Sequence, residues 1–421
     1  MKKVFTRVAF ILSAILLWSF SMQAQMTSQV VTVNPGYTNQ TFYSMNNGTV
    51  VSVANTDWDL GFQLRGYAAS ILINSKNNVK LWRANKDASQ WSTMVVADTT
   101  GIVSNPAYQL YNSDSSWDFG AFNTTNNPAD MFDLGWGNYD LSTHIIAGDS
   151  LFFVQLSSGA YKKLWIESLA NSVYTFRWAD LDGSNETPAT LTKTSYTGKF
   201  FAYYSIANNV AIDREPLYAD WDLVFEQYES LTPYIYKVTG VRSNSDVKVS
   251  KVYPTDVTTA TYDTSLFQTA INTIGYDWKV YDFNLNAYVI ADSTIYFVKD
   301  QAGAFWQIVF TGFGGSANGN FYFDKGPAVM TGLVEHSPIQ TFGMFPNPAH
   351  TSTRLMLNTA HSGNAVISLV DVAGRTISEK TVTLQSGLQS VDLSLENTKT
   401  GLYQVVVRQG NDLQVSRLVV E

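Results

Sequence analysis

The chain carries one short motif twice, and this duplication limits its fold more than any other feature. Residues 57–62 read Asp-Trp-Asp-Leu-Gly-Phe, and residues 220–225 read Asp-Trp-Asp-Leu-Val-Phe. Further along, residues 144–154 align without a gap with residues 288–298, and both stretches run on to a Gly-Ala pair. Because copies of one unit are expected to fold alike, the sequence predicts two homologous units built on a shared frame.

Polar, turn-rich segments set the limits of these units. We place the first unit at residues 41–185 and the second at residues 197–330, with a short N-terminal segment at 25–40. A polar linker at residues 331–341 leads into a C-terminal domain at 342–421. Two copies are too few for a solenoid, and the sequence leaves open whether the units share one sheet or form two domains.

Composition and alternation both favour β-structure. Aromatic residues make up 14% of the chain and charged residues only 15%, which suits pleated sheets better than charged amphipathic helices. Residues 150–155 and 161–168, and their copies 294–299 and 305–310, read as strands joined by tight turns. We therefore predict an all-β protein with two homologous antiparallel β units and a C-terminal Ig-like β-sandwich.

The repeated motif also suggests how its own strand is buried. Trp58, Leu60 and Phe62 are two residues apart, so they should share one face of a strand, while Asp59 should face solvent. Asp57 with Asp59 could form a carboxylate pair for glycoside cleavage. A solvated strand face explains these acids more simply, and the chain has no nucleophile-elbow, zinc-protease or phosphate-loop motif. We predict no catalytic residues and no enzymatic activity.

The first residues have the layout of a secretory signal peptide. Three basic side chains precede an apolar run from Val8 to Phe20, and small residues follow, so we predict a signal peptide at 1–24. No later stretch is apolar for long enough to span a membrane. The absence of cysteine excludes disulfides, thiolate zinc sites and a lipid anchor on cysteine. The net charge of -8, without a basic run elsewhere, argues against nucleic-acid binding.

Four short motifs occur in order near the C-terminus. They are Phe345-Pro346-Asn347-Pro348, a turn from Asp371 through Gly374 to Arg375, the strand start Gly401-Leu402-Tyr403, and Arg417 before a final apolar run. Between them, residues 366–370, 391–395 and 403–407 alternate with the period of half-buried strands. Prolines and turn residues separate these strands. The segment is therefore predicted to be a small β-sandwich.

This order of motifs resembles the C-terminal sorting domain of type IX secretion cargo proteins, which Gram-negative bacteria export across the outer membrane. Phe345 stands where that family usually has Tyr, and Arg417 where it usually has Lys. The resemblance implies export to the cell surface or medium, with the type IX secretion machinery and its sortase as partners. An ordinary Ig-like terminal domain is the alternative. The implied sorting-signal residues are Phe345, Pro346, Asn347, Pro348, Asp371, Gly374, Arg375, Gly401 and Tyr403.

The repeated units resemble HmuY-like all-β proteins, in which a WDxAF strand is followed later by a hairpin. The motif at 57–62 and the hairpin at 153–164 carry this resemblance. Known members of that family bind haem through His or Met side chains. The resemblance therefore implies a small apolar ligand, with haem as the candidate cofactor and no other metal.

Candidate ligand residues are few. His144 begins a predicted strand, and Tyr288 occupies the aligned position in the second unit; either side chain can ligate haem iron. Met94 and Met131 are candidate second ligands, although methionine more often fills cores. The alternative function is a surface adhesin or glycan-binding module without catalytic activity. Five tryptophans of the first unit could stack against sugars, but we expect most to be core residues: Trp82, Trp91, Trp117, Trp136 and Trp178.

Overall fold

The computed structural model describes residues 26–257, 260–291, 293–328, 339–359, 362–371, 374–410 and 412–421. The predicted signal peptide at 1–24 and most of the predicted linker lie outside these residues. The chain divides into two units, Met1–Val329 and Met330–Glu421. Within the described ranges, no helix is long and apolar enough to cross a membrane.

Antiparallel strands dominate both units, so the all-β prediction is confirmed. The strands of the N-terminal unit are β1 (Thr27–Thr32), β2 (Asn39–Ser44), β3 (Gly48–Ala54), β4 (Leu60–Gln63), β5 (Ile71–Ile73), β6 (Lys80–Asp87), β7 (Gln109–Leu110), β8 (Gly137–Asp140), β9 (Ile145–Gly148), β10 (Ser150–Gln155), β11 (Tyr161–Ala170), β12 (Val173–Asp180), β13 (Thr187–Thr192), β14 (Phe201–Ser205), β15 (Val210–Ile212), β16 (Leu223–Ser230), β17 (Tyr236–Ser243), β18 (Lys248–Val252), β19 (Lys279–Asp282), β20 (Ala287–Ile290), β21 (Ile295–Lys299), β22 (Phe305–Phe313) and β23 (Asn320–Pro327).

Helical segments in the described residues are short. The one α-helical turn, α1, is Gly315–Asn318. The 3-10 segments are Pro35–Tyr37, Ser75–Asn77, Ala88–Thr93, Val96–Thr99, Pro106–Tyr108, Ala121–Asn123, Lys193–Tyr196, Tyr218–Asp220 and Thr264–Leu266. They connect strands rather than form a layer of their own.

The two repeats exchange their first strands. β2 of the first repeat pairs with β16 of the second, with Tyr43 opposite Leu223. Conversely, β14 of the second repeat pairs with β4 of the first, with Tyr204 opposite Leu60. The two four-stranded sheets have equivalent orders, β15-β14-β4-β5 and β3-β2-β16-β17. Each Tyr-Ser strand therefore completes the sheet of the other repeat.

The larger sheets show the same exchange. β1 is the edge strand of the sheet β1-β23-β22-β21-β18, and β13 is the edge strand of the sheet β13-β12-β11-β10-β6-β7. β1 pairs with β23 from Thr27, opposite Lys325, to Thr32, opposite Asn320. The first described strand of the chain thus closes a sheet whose other members come from the second repeat.

The N-terminal unit consequently consists of two bodies. The first body contains β4 to β15, and the second contains β1 to β3 together with β16 to β23. Separate apolar cores fill them. The strand pairs cross the predicted unit limits of 41–185 and 197–330, because residues 27–54 complete the second body and residues 187–212 complete the first.

In both copies, a buried asparagine further along the chain donates a hydrogen bond to the backbone of the motif tryptophan. Nδ2 of Asn74 donates to the carbonyl oxygen of Trp58 at 2.9 Å. Nδ2 of Asn244 donates to the carbonyl oxygen of Trp221, also at 2.9 Å. All four residues are buried. Since a buried amide must find partners inside the protein, each asparagine holds the backbone at the tryptophan of its motif.

The two motif tryptophans pack between the bodies. Trp58 lies edge-on to Tyr203, with ring centroids 4.9 Å apart, and Trp221 lies edge-on to Phe42 at 5.1 Å. Both belong to one apolar cluster at the junction, whereas Leu60 and Phe62 belong to the core of the first body. The expectation that Trp58 shares a strand face with Leu60 and Phe62 is therefore wrong, because β4 begins only at Leu60.

The second aspartate of each motif copy, Asp59 or Asp222, is buried, so the prediction that Asp59 faces solvent is also wrong. Oδ2 of Asp59 accepts a hydrogen bond from the backbone N–H of Ala207 at 3.2 Å. Oδ2 of Asp222 accepts from the N–H of Met45 at 2.7 Å. Burial raises the pKa of both carboxyls. Each aspartate thus fixes the turn after the Tyr-Ser strand that pairs with its own motif.

The predicted hairpins are confirmed. β10 pairs with β11, and β21 pairs with β22. Their turns close with Gly159 N–H donating to Leu156 O at 2.8 Å and Gly303 N–H donating to Asp300 O at 3.0 Å. The glycines have φ values of 87° and 88°, which other residues rarely adopt. All five tryptophans expected in the core are buried: Trp82, Trp91, Trp117, Trp136 and Trp178.

The C-terminal unit is a sandwich of two sheets, β24-β25-β28 and β27-β26-β29-β30. Its apolar core lies between them and includes Leu355, Leu357, Ile367, Tyr403 and Val405. The strands are β24 (Ile339–Phe345), β25 (Ser352–Thr359), β26 (Gly363–Asp371), β27 (Thr376–Leu384), β28 (Gly387–Ser394), β29 (Gly401–Gln409) and β30 (Asp412–Val420). The predicted β-sandwich is confirmed.

Candidate functional site

The first C-terminal motif fastens the start of its domain to the last strand. Oδ1 of Asn347 accepts from the backbone N–H of Val419 at 2.9 Å, and its Nδ2 donates to the carbonyl oxygen of Arg417 at 3.0 Å. The carbonyl oxygen of Pro346 accepts from the Thr353 hydroxyl at 2.7 Å. Asn347 therefore makes its side-chain contacts inside the domain, where it links the start of the domain to β30.

The second and third motifs also make contacts within the domain. Arg375 donates from its backbone N–H to Oδ1 of Asp371 at 3.0 Å and from Nε to Oδ2 at 2.8 Å. Gly374, at a φ of 81°, makes the tight turn between them. The Tyr403 hydroxyl donates to the carbonyl oxygen of Lys399 at 2.8 Å, just before β29 begins at Gly401.

His144 lies in the exposed turn between β8 and β9. Its Nδ1 is 2.7 Å from the Tyr139 hydroxyl, and its φ is 59°. In the second body, Asn286 has the same place: its φ is 49°, and its Oδ1 accepts from the Tyr281 hydroxyl at 2.5 Å. Asn286, not Tyr288, is therefore the counterpart of His144.

The register explains this correction. Asp140 pairs with Ile145, and Asp282 pairs with Ala287, so each turn encloses four residues. The gapless alignment of 144–154 with 288–298 holds for the later strands but ignores a longer connection in the second repeat. Tyr288 instead packs on Phe313, with ring centroids 4.9 Å apart.

The two methionines predicted as second haem ligands lie in different environments. Met94 is fully buried beside Trp82 and Phe153 in an apolar cluster, whereas the Met131 side chain is exposed. Among the described residues, no group of His, Asp and Glu side chains is arranged to hold a metal ion. The apolar cluster that holds Met94 does not include His144, and neither His144 nor Met131 lies in an apolar core cluster of the described residues.

A surface groove that sequence reasoning missed lies beside β6 in the first body. Its volume is about 610 Å³. β6 pairs with β10 on one side but with β7 only at Leu81 and Trp82, so its outer edge opens beyond that point. We call this the β6 groove; it is lined by Arg83, Ala84, Asn85, Lys86, Asp87, Gln90, Ile102, Ala107, Tyr108, Leu110, Thr125 and Asp149.

Three polar side chains that line the β6 groove have no hydrogen-bond partner among the described residues. Within the described chain, Arg83, Asn85 and Tyr108 make no side-chain hydrogen bond or ion pair. Arg83 follows the last β6 residue that pairs with β7, and Tyr108 ends the 3-10 segment just before β7. The Tyr108 side chain is 55% exposed. A guanidinium, an amide and a phenol therefore line one concave surface, and none of the three is used in a hydrogen bond within the described chain.

The two carboxylates of the groove are, by contrast, committed. Oδ1 of Asp87 accepts from the backbone N–H of Ser89 at 2.9 Å and caps the following 3-10 segment. Asp149 accepts from Asn138 Nδ2 at 2.6 Å and from the Ser150 hydroxyl at 2.6 Å. Both carboxylates form part of the wall of the groove.

A buried polar cluster joins the two bodies. Glu226 accepts from Gln40 Nε2 at 2.8 Å and from Arg242 Nε at 2.7 Å. Arg214, in the connection between the bodies, donates to Gln40 Oε1 at 2.6 Å and lies 3.4 Å from the Asp57 carboxylate. A cavity of about 30 Å³ beside this cluster has room for a water molecule or two, not for a cofactor.

Glu215, in the same region, has a strongly perturbed carboxyl. Its Oε2 accepts from the backbone N–H of Phe201 at 3.0 Å and from the Tyr203 hydroxyl at 3.1 Å. Burial raises the pKa of its carboxyl to about 8, despite these bonds and the nearby Arg214. Its Oε1 has no partner among the described residues. Glu215 is therefore a buried carboxyl that holds β14 and whose ionisation would place a charge at the junction of the bodies.

Comparison with known proteins identifies the C-terminal unit. Residues 343–421 match the family described as "Secretion system C-terminal sorting domain". No curated protein matches the chain. The prediction of a type IX sorting domain is confirmed, with a start one residue later than the predicted 342. A domain of this kind implies export to the cell surface or the medium and interaction with the type IX secretion machinery.

Proposed function

We propose that this type IX secretion cargo protein is a non-catalytic carbohydrate-binding protein, and that its N-terminal unit holds the sugar in the β6 groove. The observation that carries this proposal is the set of free polar groups on Arg83, Asn85 and Tyr108. Ligand sites are concave and present a few converging polar groups on a pre-formed surface. The volume of about 610 Å³ suits one or two sugar rings.

Sugar chemistry matches these side chains. Each sugar hydroxyl donates and accepts hydrogen bonds, and planar guanidinium and amide groups can contact two neighbouring hydroxyls at once. The exposed Tyr108 ring offers an apolar face and a polar hydroxyl in one side chain. The polar lining suits a glycan better than the porphyrin ring of haem, which needs apolar walls. The proposal is for binding without catalysis, and it assigns Asp87 and Asp149, which accept hydrogen bonds from neighbouring groups, to the wall of the groove.

Haem remains the second candidate, for one reason. The Tyr139 hydroxyl fixes Nδ1 of His144 at 2.7 Å, and such a partner orients an imidazole so that the other nitrogen can ligate a metal. His144 stands in an exposed turn, however, without an apolar cover for the porphyrin faces. The resemblance of the repeats to HmuY-like proteins would favour haem, and that resemblance stays a prediction.

One pair of assays separates the two candidates. The purified mature chain is applied to a glycan array, and in parallel it is titrated with haem while the Soret band is recorded. We expect a restricted set of bound glycans and no sharp Soret band. A sharp Soret band that His144→Ala removes, together with an array without signal, would contradict the carbohydrate proposal and support the haem candidate.

A further inference from the structure

Most motif residues of the sorting domain are occupied by contacts inside that domain. Asn347 ties down β30, Asp371 and Arg375 hold a turn, and Tyr403 holds the entry to β29. These residues explain how the domain folds, but not what the secretion machinery contacts. Phe345 is different, because its side chain is 81% exposed at the end of β24.

Phe345 lines a largely apolar depression on β24, β25 and β28, together with Met356, Leu388 and the polar Asn358. The strand register sets Gly343 opposite Met356, and Leu388 opposite Asn358. The absence of a side chain at Gly343 leaves a depression over Met356 of about 660 Å³, bounded by Phe345 and Leu388. Leu388 is 67% exposed. Clustered exposed apolar side chains of this kind mark an interaction surface.

A second depression adjoins the first on the other side of Phe345. It has a volume of about 370 Å³ and includes Arg354 and Asp392, which form an exposed ion pair with Nε and Oδ1 2.8 Å apart. The register sets Phe345, Arg354 and Asp392 in one cross-strand row. An aromatic side chain between two depressions, with a charged pair at the rim, has the composition of a protein interface: an apolar centre and a polar edge.

We propose that this face, which we call the Phe345 face, is the surface through which the sorting domain docks on a protein of the type IX secretion machinery. It is defined by Gly343, Phe345, Met356 and Leu388. The partner is expected to present an uncharged apolar segment to the two depressions. This proposal rests on the sorting-domain match and not on the carbohydrate proposal.

Charge separates a protein partner from a lipid surface. Binding to an anionic membrane uses clusters of Lys and Arg. The rim of the Phe345 face instead carries the ion pair of Arg354 and Asp392, beside which Lys380 donates to the Asp392 carbonyl oxygen at 3.1 Å, so its charged groups are already engaged with one another. The apolar centre therefore supplies the binding energy, and an aromatic side chain in such a centre is the residue type on which protein interfaces depend most.

The test uses the full chain expressed in a host with a working type IX system. Phe345→Ser and Leu388→Ser are compared with the control Leu402→Ser, which removes a 48% exposed leucine from β29 in the other sheet. Cell fractionation and immunoblotting give the ratio of surface to periplasmic protein. We expect both variants of the Phe345 face to lower this ratio at least about tenfold and the control to leave it unchanged. Phe345→Tyr, which keeps the aromatic ring, should be exported as well as the parent.

Folding and self-association are controlled separately. Each purified variant should keep the melting temperature of the parent, since neither replaced side chain belongs to the core. Three results would overturn the proposal: normal export of both Phe345→Ser and Leu388→Ser, equal loss of export in the Leu402→Ser control, or a parent dimer in solution that Phe345→Ser dissociates. Glycan binding by the purified variants should be unchanged, so failure of this proposal is distinguishable from failure of the carbohydrate proposal.

Discussion

Replacing Glu215 with Gln should change how the stability of the N-terminal unit depends on pH. The carboxyl is buried at the junction of the bodies, where its pKa rises from the usual 4.5 to about 8. Between these two values the folded protein keeps a proton that the unfolded chain has released. The contribution of Glu215 to stability is therefore greatest at low pH and is lost as the pH rises from 4.5 to about 8.

The size of this loss follows from the pKa difference. At about 1.4 kcal/mol for each pKa unit, it amounts to roughly 5 kcal/mol over the whole range, of which about 4 kcal/mol falls between pH 5 and pH 8.5. A glutamine can still accept from Phe201 and Tyr203 but does not ionise. Its Nε2 would stand where Oε1 now has no partner. The cost of that unpaired amide does not vary with pH, so it cancels between the two measurements.

Urea denaturation followed by tryptophan fluorescence measures this effect in the right unit, because every tryptophan after residue 25 lies before residue 307. Relative to the parent, Glu215→Gln should gain about 4 kcal/mol between pH 5 and pH 8.5. The control is Asp213→Asn, whose side chain is 58% exposed, and its difference from the parent should hardly change. Parallel pH curves for the parent and Glu215→Gln would refute the assignment of a buried, protonated carboxyl.

Two further outcomes are expected. Trp58→Ala and Trp221→Ala should each lower the free energy of unfolding by about 3–5 kcal/mol, because both rings fill the junction between the bodies; a neutral effect at both, seen by thermal melting, would mean that they are exposed. Deleting residues 342–421 should leave a folded N-terminal unit in the periplasm, since the two units have separate cores. Normal surface display of that truncated chain would contradict the sorting assignment.

The sequence predicts the kinds of elements well but not their partners. Alternation and turn residues locate the hairpins at Gly159 and Gly303 because those signals are local. The exchange of strands is not local: Tyr43 and Tyr204 precede identical motif starts, so either repeat could accept either strand with the same hydrogen bonds. Arg214, in the connection between the bodies, donates to Gln40 of β2 at 2.6 Å, a long-range contact that no local pattern predicts.

Functional residues could be predicted from the sequence only where they belong to a recognisable motif. The sorting residues form such a motif, so their positions follow from the sequence, but the exposure of Phe345 depends on the outer face of a sheet. The β6 groove has no motif, since Arg83 and Tyr108 come from separate segments that meet beside β7. Asp59 was misplaced because alternation gives the face of a strand but not what covers that face.

The most direct test of the carbohydrate proposal is isothermal titration of the mature chain with the glycan that binds most strongly on the array. Arg83→Ala and Tyr108→Ala should each raise the dissociation constant at least about tenfold, or about 1.4 kcal/mol, with unchanged melting temperatures. Tyr67→Ala, which removes a fully exposed tyrosine outside the groove, should leave the dissociation constant unchanged. Unaltered affinity in both groove variants would contradict the assignment of the β6 groove as the binding site.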